Sequence, residues 1–162
     1  IYFDKMIKFN ELFTKKYIAF TTIFIAVLAV LVFSMNVFLI KKNTVRRTFV
    51  FPSADSGQYI IEYRNLNKKP VQGDVNLFVD ELLLGSTVER TKNLFTPGTK
   101  TLSCFKRDNV LYLNLSPDLL NLGKDVIEIK DGVDLVKLNI KKNFPKIHNV
   151  LIFVDGKLAF EN

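Results

Sequence analysis

The chain has 162 residues, 48% of them hydrophobic, a formal net charge of +7, one histidine and one cysteine. These counts exclude an intrachain disulfide, a zinc site of the paired-cysteine type and a metal cluster built on several histidines and cysteines. The charge invites a nucleic-acid reading, but residues 1–40 hold +2 of it, residues 41–47 hold +4 and residues 48–162 only +1. The basic footprint that a nucleic-acid-binding domain requires is therefore missing from the part able to fold.

Residues 1–16 read as a short cytoplasmic N-terminus, with Met6 as a candidate start. The run YIAFTTIFIAVLAVLVFSMNVFLI, residues 17–40, has 24 residues without a charge. At ~1.5 Å per residue it reaches about 36 Å, enough for a hydrocarbon core of ~30 Å with some tilt. Lys15 and Lys16 bound one end and Lys41 and Lys42 the other. With Arg46 and Arg47 they are assigned to contact with anionic lipid headgroups. Tyr17 stands where an interfacial aromatic belongs. A cleavable signal peptide has an apolar region of about 7–15 residues and a small-residue cleavage site. This run is longer, Phe38-Leu39-Ile40-Lys41 is a poor site, and no cysteine stands at its end for lipid modification. A retained single-pass anchor is expected. Lys and Arg are balanced on the two sides, so the positive-inside rule does not decide orientation. The C-terminal part is the cargo, which favours the N-terminus inside and the domain outside the cytoplasmic membrane. Ser34 and Asn36 are candidates for hydrogen bonds to a partner helix.

Residues 41–47 read as a basic juxtamembrane stalk and residues 48–162 as one domain. Residues 48–51 are apolar and β-prone, stopped by Pro52. A turn at residues 53–57 and the strand YIIEY, residues 59–63, complete a hairpin. Val71, Val75, Phe78, Val79, Leu82 and Leu83 recur at spacings of three and four, which predicts a helix over residues 71–84 ended by Gly85. Residues 101–115 form a second hairpin around Asp108-Asn109. Pairing outward from that turn sets Cys104 against Leu113 and Leu102 against Leu115, all on one face with Leu111. Ser116-Pro117-Asp118 signals a strand exit. Ile129, Val133, Val136 and Ile140 predict a second helix over residues 125–143, ended by Pro145, with Val133 and Val136 buried and Lys137 and Lys141 exposed. Residues 149–160 close the chain as a hairpin around Asp155-Gly156, its first strand apolar on both faces and so central. The expected class is α+β: a mixed sheet with two helices on one face, preceded by one transmembrane helix.

Catalytic chemistry is hard to find. His148 stands alone beside the last hairpin, and Cys104 reads as a small buried hydrophobe rather than a reactive thiol. No glycine-rich phosphate loop follows a strand. The carboxylates are scattered: Asp118, Asp125, Glu128, Asp131 and Asp134 lie near the second helix but mostly off its apolar stripe, where they read as a solvated face. No catalytic, cofactor-binding or metal-binding residue is assigned, and no enzyme activity or cofactor is expected.

The order of a helix ending in DELLLGS (residues 80–86), then LFTPGTKTLSCFKRDNVLYLNLS (residues 94–116), a long helix and VLIFVDGK (residues 150–157) resembles the GerMN domain family. The resemblance covers about residues 48–160. It rests on the Pro97-x-Thr99-Lys100 turn with Gly98 between, the Leu113-Asn114-Leu115-Ser116 strand end and the Val154-Asp155-Gly156 turn. The chain departs from the family where its second helix reads VDLVKLNIKK (residues 133–142) instead of a Gln- and Thr-rich stretch. The resemblance implies an α/β domain outside the cytoplasmic membrane, with no known catalytic residues, akin to ring-building modules of envelope assemblies. The expected partners are the lipid bilayer and an envelope protein or further copies of the chain, and no nucleic acid. The expected function is a protein–protein interaction or assembly scaffold; the alternative is an envelope sensor that binds a small ligand or cell-wall fragment.

Overall fold

The computed structural model describes residues 2–121, 123 and 125–159, and separates into two compact units, residues 1–43 and 44–162. The first unit is one helix, α1 (Tyr2–Asn43). Its described side chains from Lys16 to Leu39 are all exposed, so this apolar stretch is not the core helix of a soluble fold, and it is long and apolar enough to cross a membrane. Ser34 Oγ and Asn36 Nδ2 donate to Leu31 O and Val32 O within α1, at 2.9 and 2.8 Å, so each makes at least one bond within its own helix.

The second unit begins at Thr44, because the chain passes from helix straight into strand. The expected stalk over residues 41–47 is thereby corrected: residues 41–43 end α1 and residues 44–47 begin β1 (Thr44–Pro52). β1 pairs antiparallel with β2 (Tyr59–Asn67) in an unbroken nine-residue register. This hairpin forms a sheet of its own. A four-stranded sheet follows, built from β3 (Thr101–Arg107), β4 (Val110–Leu115), β5 (Asn149–Val154) and β6 (Lys157–Leu158) in that order, with β4 and β5 parallel and the other pairs antiparallel. Between the two sheets lie α2 (Asp74–Leu83), touching β2 and β3, and α3 (Ile129–Asn143), touching β1 and β5. The class is α+β with a mixed sheet, as expected. The difference is that the first hairpin packs on the helices from their other side instead of extending the sheet.

The turns follow their residues. Asp108 and Asn109 both take positive φ, 49° and 65°, as do Asp155 and Gly156, 48° and 78°, the geometry of tight hairpins with matched twist. Cys104 faces Leu113 as expected, but Thr101 rather than Leu102 pairs with Leu115. A bulge at Leu102 absorbs the extra residue and turns its side chain outward, 52% exposed. α2 starts three residues later than expected, since Gly73 at φ 93° breaks the approach and leaves Val71 fully exposed. α3 starts at Ile129 because residues 125–127 run extended beside Asn93: Asn93 N–H donates to Asp125 O and Ile127 N–H to Asn93 O. Gly132 on α3 is required by contact, since a Cβ there would meet Leu94 O at 2.5 Å and the Phe95 ring at 2.7 Å. Val133 and Val136 are buried and Lys141 is exposed, while Lys137 is half-buried.

The core joins both sheets through the helices. Phe49 stacks on Phe78 at 4.6 Å and Phe78 meets Phe144 edge-on at 5.4 Å. Leu111, Leu113 and Leu115 of β4 and Val150 and Ile152 of β5 supply the sheet side. The outer edge of β1 is closed by side chains rather than by a strand. Asn139 accepts from Val50 N–H at 2.8 Å and donates to Val50 O at 2.9 Å. One turn along α3, Asn143 accepts from Thr48 N–H at 2.9 Å and donates to Thr48 O at 2.6 Å. Asn139 is fully buried. Asn139→Ala strands a buried N–H and C=O of Val50 and should cost about 2–4 kcal/mol in urea denaturation of residues 44–162. Asn143→Ala, at a half-buried site, should cost less; equal and negligible losses at both positions would contradict the clamp.

Candidate functional site

Polar groups at the inner face of the hairpin are committed to architecture. Glu62 and Arg64, two residues apart on β2, share one face and form a two-pronged ion pair, Nε to Oε1 at 2.7 Å and Nη2 to Oε2 at 3.2 Å. Arg64 also donates to Glu81 O at 3.0 Å and Gly85 O at 2.6 Å, serving carbonyls at the end of α2 that have no intrahelical partner, and lies over the Phe49 ring at 4.7 Å. Ser86 Oγ and the Thr87 N–H and hydroxyl donate to Glu62. The Arg64 guanidinium holds the Glu62 carboxyl down, to about 2 from 4.5; burial opposes this and the Ser86 and Thr87 donors add to it.

The motif at residues 97–100 is likewise structural. Ser116 N–H donates to Lys100 O at 2.9 Å, Lys100 N–H donates to Ser116 Oγ at 3.0 Å, and Ser116 Oγ donates to Asp118 at 2.8 Å, latching the start of β3 to the end of β4. Thr99 Oγ1 donates to Thr96 O at 2.7 Å. Beside this turn and the end of α2 opens a cavity of about 430 Å³, lined by Asp80, Leu83, Leu84, Pro97, Lys100 and Thr101 among others. Cys104 lies half-buried in the sheet, and burial, then the Asp80 charge, pushes its thiol up to about 11. That is the inert setting expected for it.

The basic residues assigned to headgroups separate. Lys16 is exposed on α1. The side chains of Lys15, Lys41 and Lys42 lie outside the described residues. Arg46 is exposed on β1 with its guanidinium 4.1 Å over the Tyr63 ring. For Arg47 the headgroup assignment is corrected: its side chain is only 13% exposed, pairs with Asp74, donates to Asn143 O at 2.8 Å and covers the Phe144 ring at 4.2 Å. It fastens β1 to both helices. His148 and Asp134 are exposed, and Asp118 accepts from Ser116. Among the described residues no three His, Cys, Asp or Glu side chains gather as a metal site.

Among the described residues of the second unit, exposed apolar side chains gather on both sheets. On the outer face of the four-stranded sheet Phe105 is 55% exposed and stacks on Tyr112 at 5.1 Å. On the hairpin, Tyr59, Ile61 and Tyr63 alternate along β2, 62%, 50% and 55% exposed. Because Asn143 and Asn139 bind the N–H and C=O of Thr48 and Val50, those residues point away from β2, and their partners Tyr63 and Ile61 must point away from β1. The apolar row on β2 thus coincides with a row of outward backbone groups. This surface was not assigned from the sequence; the alternation in YIIEY was its signal.

Residues 48–159 match the family model Germane, described as sporulation and spore germination. The chain is a member of the Germane family. The Germane domain also matches the first GerMN domain of the sporulation protein GerM from Bacillus subtilis, with a TM-score of 0.56 at 16% identity over 72% of this chain and 86% of that one. The tandem GerMN domains of the same protein match with a TM-score of 0.56 at 18% identity, and there the matched part spans only 40% of the longer chain. Both likenesses establish the fold. A curated relative, an uncharacterized lipoprotein of Treponema pallidum (strain Nichols), is 26% identical over 106 residues, 65% of this chain and 79% of that protein.

The depressed Glu62 carboxyl links the Germane domain's stability to pH. Its folded value lies below the unfolded one, so its contribution is full above about 4.5 and is lost as pH falls toward about 2. Glu62→Gln should destabilise the domain at pH 7, with the gap to wild type narrowing through that window in denaturant titrations. A gap independent of pH from 7 to 2 would contradict the assignment.

Proposed function

We propose that this chain is a membrane-anchored bacterial envelope protein whose Germane domain faces outward from the cytoplasmic membrane and acts by protein–protein contact as an assembly scaffold. The observation that carries the proposal is the open row of Tyr59, Ile61 and Tyr63, where exposed apolar side chains and outward backbone groups share one strand edge. Such an edge favours pairing with another chain unless it is covered. The charged side chains of the hairpin's inner face, Glu62 and Arg64, are spent within the domain and leave nothing there for substrate chemistry. The relative's name as a lipoprotein supports residence at a membrane. In this chain the apolar stretch Lys16–Leu39 of α1 takes the anchoring part that a lipid would play. Tethering confines copies and partners to a thin layer, so weak contacts suffice.

The cavity beside residues 97–101 supports a second reading, a sensor for a small ligand, because its volume of about 430 Å³ suits one. Crosslinking the native membrane separates the two. The scaffold reading expects defined adducts through the domain, and expects protease added to intact spheroplasts to digest it. Recovery of monomer alone, with tight binding of a muropeptide by residues 44–162, would replace the scaffold with the sensor; full protease protection would reverse the topology.

A further inference from the structure

We infer that the outer edge of β2 pairs antiparallel with β2 of a second copy of this chain, about a two-fold axis through Ile61. The inference rests on the reading above that the domain acts by protein–protein contact, and it names the partner. Three observations carry it. The first is that this edge lacks the usual protection. On β3, one edge strand of the four-stranded sheet, a bulge at Leu102 and the charges of Lys106 and Arg107 discourage pairing, and β6, the other, is only two residues long. The outer edge of β1 is closed by Asn139 and Asn143. β2 runs in regular register through nine residues without proline, and Tyr59, Ile61 and Tyr63 are themselves uncharged, the one charge against the row being the Arg46 guanidinium of β1 over the Tyr63 ring.

The second observation is self-complementarity. A two-fold interface needs each residue i that meets j to be met by j in return. Read outward from Ile61, the exposed row is Tyr, Ile, Tyr in either direction. An antiparallel copy therefore sets Tyr59 against Tyr63, Ile61 against Ile61, and Tyr63 against Tyr59. The outward N–H and C=O groups belong to these same three residues, so all three pairs are of the hydrogen-bonded kind. The Tyr–Tyr pairs are aromatic cross-strand contacts, and no like charges face one another on that side. The third observation is that Glu62 and Arg64, on the opposite face, are already paired to each other and to α2. A second copy meets no unsatisfied charge from them. The contact is short beside a stable interface of about 1,200 Å² or more, so it depends on the concentration that a shared membrane provides.

The test is disulfide trapping of the full chain in its membrane, in a Cys104→Ala background. Facing residues of a hydrogen-bonded antiparallel pair have Cα atoms about 5.5 Å apart, within disulfide reach. Ile61→Cys should form a dimer under mild oxidation about tenfold faster than Tyr59→Cys, whose copies would stand about 13 Å apart along the strands. Tyr59→Cys and Tyr63→Cys expressed together should trap a mixed dimer. Ile61→Pro removes an N–H that points away from β1, so it should leave the domain folded by circular dichroism and abolish that mixed dimer. Equal trapping at Ile61 and Tyr59, or a mixed dimer that survives Ile61→Pro, would overturn the self-pairing. Trapping of Ile61→Cys only to a different protein would overturn it too while leaving the scaffold reading intact.

Discussion

A two-stranded hairpin is marginal in water on its own, and the fold is organised around supporting one. Asn139 and Asn143 stand one helical turn apart on α3 and present amide groups to Val50 and Thr48 as a neighbouring strand would. This pins β1 along the helix and closes its outer edge. It also fixes which backbone groups face which way across the whole hairpin, and so leaves the far edge of β2 open. The face of the hairpin is then free to deliver Phe49 and Phe51 into a core shared with α2 and the four-stranded sheet.

Several residues at the ends of α2 and β4 in this chain act as joints. Gly85, at φ 87°, ends α2 where a Cβ would strike Asn93 Oδ1 at 2.5 Å, and its carbonyl accepts from Arg64. Ser86 and Thr87 secure Glu62, and Ser116 latches the turn before β3. Residues 133–142 fall on α3 and include the clamp residue Asn139.

Much of this was legible before the structure, and the exceptions share a cause. Residues 17–40 announce themselves by length without charge, the Asp-Asn and Asp-Gly turns by their tolerance of positive φ, and the helices by apolar stripes. Local patterns could not reveal what depends on distant partners. The bulge at Leu102 is a choice between two registers that differ by one residue. The late start of α3 reflects residues 125–127 being drawn beside Asn93. Arg47 looked like part of a basic cluster because its neighbours in sequence are basic; Asp74 and Phe144, which hold it, are 27 and 97 residues away. Nothing local to Asn139 and Asn143 signals the strand they serve, which is 89 and 95 residues away.

The contrast between the two edges of the hairpin is most directly measured by amide hydrogen exchange on residues 44–162 in dilute solution, where copies are too sparse to pair. The amides of Thr48 and Val50 should be protected, Val50 close to the level of global unfolding, because asparagine side chains hold them. Those of Tyr59, Ile61 and Tyr63 should exchange nearly as freely as in an unstructured chain. Protection of the Ile61 and Tyr63 amides in the monomer, or rapid exchange at Val50, would show that the closed and open edges have been assigned the wrong way round.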